Sequence, residues 1–274
     1  MTAHPDQTSM TFWEHLGELR RRLIRMMLAF VVGAGASWVF RERLLLWITE
    51  PFAYAWREQK LTGDVSLHFQ APATLFFAYL KLSMLAGLVV SLPVVLYEVW
   101  AFVAPGLYKR EKRLALPFVL SSTGLFATGG YFGFKVVFPI AFRYLLGFSG
   151  PVGATGFEVK PTVMIDQYLE FITRMLVAFG VVFELPVLAF FLSVAGIITH
   201  KDLIKFARYF VVIAFIIGAV ITPPDPASQL LLAIPLCVLY ALSILVAWVF
   251  GRRPKRDTHE DQEDLSVSGD GPAG

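Results

Sequence analysis

The sequence predicts an all-α integral membrane protein with six transmembrane helices and both termini on the cytoplasmic side. Hydrophobic residues make up 56% of the 274 residues and charged residues only 16%, well below the roughly 25% of a soluble domain. The uncharged stretches are long enough to cross a bilayer, which takes about 20 mainly apolar residues in a helix. Lys and Arg concentrate at the two termini and in every second loop between these stretches. Because cytoplasmic loops are rich in Lys and Arg, this distribution indicates how the chain is oriented in the membrane.

Six apolar stretches define the predicted spans. They run from about Leu23 to Phe40, Pro72 to Phe102, Leu114 to Phe138, Tyr168 to Val194, Tyr209 to Ile221 and Pro226 to Phe250. The first could continue through residues 44–48. Thr199 and Asp202 have the spacing of a capping box before helix five, and Asp225 before Pro226 is typical of an N-cap. Pro139 is expected to end the third helix.

Positive charge predicts which side each loop faces. Lys and Arg concentrate in segments 20–25, 109–113, 201–208 and 252–256, all of which six spans place on the same side as the N-terminus. The segments on the other side hold fewer cations. We therefore predict an N-in, C-in topology. Nucleic-acid binding is disfavoured, since the basic clusters flank apolar spans.

The chain divides into three predicted parts. Residues 1–22 form a cytoplasmic amphipathic helix that opens with a capping box at Thr11 and Glu14. Residues 23–251 form the six-helix transmembrane domain. Residues 252–274 are basic, then acidic, then rich in Ser and Gly, which predicts a disordered cytoplasmic tail.

The fifth and sixth predicted helices are expected to form a shorter pair than the other helices of the bundle. The five residues 222–226 join them, and helix five has only about 13 strongly apolar residues, fewer than a hydrocarbon core requires. A short pair beside longer helices predicts a concave bundle that thins the adjacent bilayer. Glu184 and Gln229 are the polar side chains expected in that hollow.

Glu184 lies near the middle of the fourth span. A charge at the centre of a membrane helix costs roughly 2.5–3.5 kcal/mol on insertion scales, so such residues usually have a function. The alternative is a neutral Glu184 that is hydrogen-bonded within the bundle. Pro186 leaves one carbonyl of the preceding turn without its helical donor, which predicts a kink beside Glu184.

Two other groups of charges can be explained by ion pairing, and the second of them has a competing interpretation. Asp166, Glu170 and Arg174 have the spacing of an ion ladder along one helix. Glu18 and Glu111 lie among cations on the predicted cytoplasmic face. They are either counter-ions of those cations or an acidic site for an arginine-bearing ligand, because carboxylates bind guanidinium groups through paired hydrogen bonds.

Four motifs follow one another along the chain. They are His15-Leu-Gly-Glu-Leu-Arg20, the stretch from Leu92-Pro-Val-Val-Leu-Tyr-Glu-Val-Trp to Tyr108-Lys-Arg-Glu-Lys112, Phe179-Gly-Val-Val-Phe-Glu-Leu-Pro186, and Thr222-Pro-Pro-Asp-Pro-Ala-Ser-Gln229. Together they resemble the motifs of the TatC family, the core subunits of the twin-arginine protein translocase. The resemblance extends over about residues 11–250, nearly the whole chain.

The resemblance implies a receptor without enzymatic activity or a cofactor. A protein of this family binds twin-arginine signal peptides and exports folded proteins across the cytoplasmic (inner) membrane with the proton-motive force. The signal-peptide site would comprise Glu18 and Glu111 as arginine-binding carboxylates, with Arg20, Phe102, Pro105 and Tyr108 shaping it. Glu184 would lie in the concave pocket of a glove-like fold. Pro51 and Pro93 would be structural, and Asp225 and Gln229 would mark the outer end where partners dock.

The implied partners are single-span subunits of the TatA and TatB types, signal peptides and membrane lipid, within an oligomeric complex. The competing function is a proton- or ion-coupled transporter of small solutes, which the intramembrane Glu184 favours. The chain has no internal repeat of the kind common in such transporters. An intramembrane enzyme is disfavoured, because the sequence lacks the Gly-x-Ser-x-Gly and His-Glu-x-x-His motifs.

Overall fold

The computed structural model describes residues 12–61, 63–107, 115–152, 157–222 and 225–251. Within these ranges, the side chains of residues 12, 103–107 and 115–118 are not described. The predicted cap at Thr11 and the tail 252–274 lie outside the described residues.

Helices account for most of the described chain. They are α1 (Phe12–Val39), α2 (Arg41–Glu58), α3 (Pro72–Leu107), α4 (Ala115–Phe132), α5 (Phe138–Leu146), α6 (Ile165–Phe183), α7 (Leu185–Val194), α8 (His200–Ile221) and α9 (Pro226–Phe250). A π-helical turn, Gly133–Val137, joins α4 to α5, and two short antiparallel strands, β1 (Gly150–Pro151) and β2 (Glu158–Val159), follow α5. Among the described residues, six helical segments are long and apolar enough to cross a membrane, which confirms the predicted number of spans.

The third predicted span is longer than expected. Pro139 does not end it, because the chain passes through the π-helical turn and the proline falls in the first turn of α5. The wider π-helical turn, in which the Phe138 N–H donates to the Gly133 oxygen, leads directly into the turn that holds the proline. The helix therefore continues to Leu146.

The helix ends near the fourth, fifth and sixth spans agree with their sequence signals. The predicted kink falls at Glu184, between the end of α6 at Phe183 and Pro186 in the first turn of α7. Thr199 and Asp202 form the predicted capping box of α8. Asp225 accepts a hydrogen bond from the Ser228 amide at 2.8 Å and caps α9.

Helix α1 packs against α3 in antiparallel fashion. His15 stacks on Phe102 at one end of the pair, and Trp38 meets Phe76 at the other. Gly87 of α3 lies so close to α1 that a Cβ there would be 2.4 Å from a backbone nitrogen. Small residues permit such close helix packing in membranes. Since α1 is continuous over Phe12–Val39, the predicted domain boundary at residue 23 falls inside it.

Helix α2 is a separate element after a turn at Phe40, rather than an extension of the first span. Its buried Phe52 meets the ring of Tyr168 on α6 at 5.5 Å. The Tyr168 hydroxyl donates a 2.8 Å hydrogen bond to the backbone oxygen of Ile48. Pro51, predicted to be a structural position, is buried inside α2. These contacts hold α2 against the end of the bundle where α6 begins.

Candidate functional site

Four charged side chains connect α1 to α3. The Arg22 guanidinium donates from Nε and Nη2 to Glu18 Oε1, at 3.0 and 2.5 Å, and from Nη1 to Glu98 Oε2 at 2.9 Å. Arg25 Nη1 donates to the other Glu98 oxygen at 3.2 Å. We call Glu18, Arg22, Arg25 and Glu98 the α1–α3 ion cluster. Two carboxylates and two guanidinium groups balance its charge.

The side chains of the α1–α3 ion cluster differ in solvent exposure, from the buried Glu98 to the exposed Arg25. The Glu98 side chain is only 5% exposed, while those of Arg22 and Glu18 are 16% and 19% exposed. Arg25 is 63% exposed. A buried carboxylate is stable only when it is paired and hydrogen-bonded, which explains why two arginines converge on Glu98. Glu18, at the edge, is the carboxylate that a ligand reaches most easily.

Glu98 is a residue that the sequence analysis missed. It belongs to the second motif, but no role was assigned to it. A signal was available, because Glu98 is an acidic residue in a 36-residue apolar helix and must find a cation there. The identity of that cation depends on the packing of α3 against α1, which one sequence does not reveal.

The other residues of the predicted signal-peptide site are only partly described. Phe102 stacks on His15 with ring centroids 4.6 Å apart, so it lies at the same end of the α1–α3 pair as Glu18. Arg20 is exposed and makes no ion pair with any described residue. Pro105 lies in the last turn of α3, where only the backbone is described. Tyr108 and Glu111 lie outside the described residues.

Glu184 occupies the break between α6 and α7. Its Oε2 accepts a hydrogen bond from the fully buried Ser122 of α4, while its Oε1 is buried and has no hydrogen-bond partner among the described residues. The side chain is therefore half satisfied within the bundle.

The predicted ion ladder on α6 is only partly formed. Glu170 and Arg174 form a pair, whereas Asp166 makes no described ion pair.

Gln229 and Pro93 lie elsewhere. The Gln229 side-chain amide donates a 2.9 Å hydrogen bond to the backbone oxygen of Phe215, which joins α9 to α8. Gln229 and Glu184, which were expected in one hollow, thus make separate hydrogen bonds, Gln229 to Phe215 and Glu184 to Ser122. Pro93 is exposed on α3. In the described part of the chain, no group of three His, Cys, Asp or Glu residues is placed to hold a metal ion.

The half-satisfied state of Glu184 leads to a testable prediction. For the protein export that the resemblance implies, we expect Glu184→Gln to keep near-normal activity, because an amide can still accept the Ser122 hydrogen bond. Glu184→Leu should impair export or complex assembly, because it leaves the Ser122 hydroxyl unpaired and removes the polar group. Transport of a reporter protein into the periplasm measures both. Full activity of the leucine variant would leave Glu184 with no role in the mechanism.

Comparison with protein families decides the class to which this chain belongs. The profile of the family "Sec-independent protein translocase protein (TatC)" matches residues 14–235, more than half of the chain. The chain belongs to the TatC family. The TatC protein of Desulforapulum autotrophicum is 41% identical over 259 residues, which cover 94% of this chain and 92% of that protein. The TatC of Aquifex aeolicus is 38% identical over 246 residues, which cover 90% and 98%.

Solved structures agree with the family. A crystal structure of the twin-arginine translocase receptor TatC superimposes with a TM-score of 0.74 at 38% identity, covering 85% of this chain and 98% of the other. A second, in the detergent DDM, gives 0.75 at 39% identity, with 85% and 99% covered. This member of the TatC family is thus a core subunit of a twin-arginine protein translocase and a multi-pass protein of the inner membrane. The solute-transporter alternative is not favoured.

Proposed function

We propose that this TatC protein is the receptor that binds twin-arginine signal peptides, with Glu18 and Glu111 as the carboxylates that receive the two arginines. One observation carries the proposal for Glu18. It is a partly exposed carboxylate that already holds a guanidinium group, that of Arg22, through two nitrogen donors. A site that binds this group within the chain has the chemistry to bind it from a ligand.

The surroundings of Glu18 support recognition of arginine in particular. Both Arg22 contacts fall on Oε1 of Glu18, so a single carboxylate oxygen here receives two N–H donors of one guanidinium group. A guanidinium group presents a planar array of N–H donors that matches a carboxylate, whereas an ammonium group is a compact point charge. The exposed ring of His15 and the half-buried ring of Phe102 lie near the same end of α1 and α3 and offer apolar surface for the peptide stem.

We infer the topology, shape, partners and energy source of the protein from its membership of the TatC family. The N- and C-termini lie in the cytoplasm, and the bundle is concave and glove-like. Single-span TatA- and TatB-type subunits dock at the outer end of α8 and α9, near Asp225 and Gln229. Folded substrates cross at the expense of the proton-motive force, and the protein catalyses no chemical reaction.

Site-specific crosslinking tests the receptor assignment. A twin-arginine signal peptide with a photoreactive residue beside its arginines should label the segments around Glu18 and Glu111 in the assembled complex. We expect Glu18→Ala and Glu111→Ala each to abolish the labelling and to block export of a twin-arginine reporter. Glu42→Ala is the control for loss of a carboxylate, since Glu42 is exposed on α2 and its nearest ion-pair contact, to Arg41, measures 3.8 Å. Normal labelling and export in both site variants would disprove the assignment.

A further inference from the structure

We propose that Arg22 occupies Glu18 as a built-in substitute for the signal-peptide arginine, and that Glu98 is the carboxylate that retains Arg22 when a ligand guanidinium takes its place. The inference rests on the proposed function, because it concerns how Glu18 is made available. It adds Arg22 and Glu98 to the receptor as residues that determine its affinity and its preference for arginine.

The geometry of the ion cluster supports an exchange. All three nitrogens of the Arg22 guanidinium donate to carboxylates, Nε and Nη2 to Glu18 and Nη1 to Glu98. Arg22 is therefore shared between one carboxylate on its own helix and one on α3. It can give up the first and keep the second, whereas an arginine bound only to Glu18 would be left without a partner.

Burial makes Glu98 the necessary second partner. Arg22 is only 16% exposed, so releasing it from Glu18 without an alternative would leave a poorly solvated charge. Removing one partner from a buried ion pair costs several kcal/mol for this reason. Glu98 lowers that cost, because its second oxygen is held by Arg25, which is largely exposed and can return to water as Arg22 takes over. Each charge that the ligand displaces thus stays solvated or paired.

The same arrangement favours arginine over lysine in the ligand. An incoming group must replace two N–H donors on the Glu18 oxygen to match what Arg22 already supplies. A second guanidinium group can do so, but an ammonium group has no planar pair of donors in fixed geometry. Competition from Arg22 therefore penalises a lysine ligand more than an arginine ligand.

A merely structural role is the alternative, in which the cluster only fastens α1 to α3. The two roles predict opposite signs for Arg22 variants. If Arg22 competes with the ligand, removing its charge strengthens signal-peptide binding. If Arg22 only fastens the helices, removing it disorders the site and weakens binding.

The test is a double-mutant cycle on the full-length complex in lipid nanodiscs. The dissociation constant of a fluorescent twin-arginine signal peptide would be measured for wild type, Arg22→Gln, Glu98→Gln and the double variant. We expect Arg22→Gln to tighten binding about tenfold, the scale of one lost competing charge-assisted hydrogen bond. Glu98→Gln should weaken binding by a similar factor, because Arg22 then relies on Glu18 alone. In the Arg22→Gln background, Glu98→Gln should have almost no further effect.

Controls separate the possible failures. Arg21→Gln removes one positive charge from the same turn and should change the affinity less than twofold, because exposed Arg21 has no ion pair with the described residues. If Arg22→Gln does not fold, Arg22→Lys keeps a cation for Glu98 and should still tighten binding to a smaller degree. Weaker binding in the Arg22 variants, or an equal effect of Glu98→Gln in both backgrounds, overturns the exchange. If wild type fails to prefer twin-arginine over twin-lysine peptide, the proposed function itself is wrong.

Discussion

Replacement of Gly87 by valine is expected to prevent α1 from docking on α3 and to reduce the amount of folded protein several-fold. A Cβ at this position would lie 2.4 Å from the Ala34 nitrogen and 2.5 Å from its Cα, and backbone atoms cannot rotate out of the way. Overpacking of a core costs roughly 1–3 kcal/mol even when side chains can adjust, so the cost here should reach or exceed that range. Folded yield by size-exclusion chromatography in detergent and the thermal unfolding temperature measure the effect.

Gly124→Val provides the matched control for Gly87→Val. Gly124 also lies in a membrane-spanning helix, but a Cβ there would meet nothing within 4 Å. The control should therefore accumulate and unfold like wild type. Equal behaviour of the two variants would show that α1 and α3 do not approach as closely as the structure has them.

Truncation of Tyr168 to alanine is expected to detach α2 from the bundle and to lower the free energy of unfolding by about 3–5 kcal/mol, the usual cost of removing a buried aromatic ring. Tyr168 is 3% exposed and packs on Phe52 and Phe142. Tyr168→Phe keeps the ring and loses only the hydrogen bond to Ile48, so it should cost about 1 kcal/mol. Unfolding by denaturant, together with protease access to residues 59–71, measures both variants.

A similar loss in the phenylalanine and alanine variants would contradict this interpretation. It would mean that the hydroxyl contact, rather than the aromatic packing, holds α2. Undisturbed protease resistance in the alanine variant would mean that α2 stays docked without the ring of Tyr168.

The sequence predicts those features of the fold that depend on local chemistry. Long apolar runs locate the six spans, the Thr199 box and Asp225 locate two helix starts, and Pro186 locates a helix break. Helix α2 is harder to predict, because its sequence mixes polar and apolar residues. Its position on the bundle is fixed by contacts with residues far along the chain. The π-helical turn before Pro139 is likewise set by tertiary contacts, among them the stacking of Phe134 on Trp47 and the pairing of Lys135 with Glu50.

In the candidate site, too, the sequence predicts individual residues but not the contacts that depend on helix packing. Glu18 and Phe102 were predicted from their motifs, and the structure brings them to one end of the α1–α3 pair. The partner of Glu18 was not predicted in detail, since any of several nearby arginines has suitable spacing. The buried Glu98 was missed because its significance arises only when two helices meet.

The separation of Arg22 from Glu98 along the chain has a consequence for the synthesis and membrane insertion of the protein. The two residues are 76 positions apart, and α1 packs principally against α3. While the ribosome is still making α2, the arginine-rich start of α1 has no buried carboxylate from α3 to receive it. The end of the molecule that holds the α1–α3 ion cluster is therefore completed only after the second span has been inserted. Nascent chains arrested before α3 should present α1 as a lone helix, open to quality control.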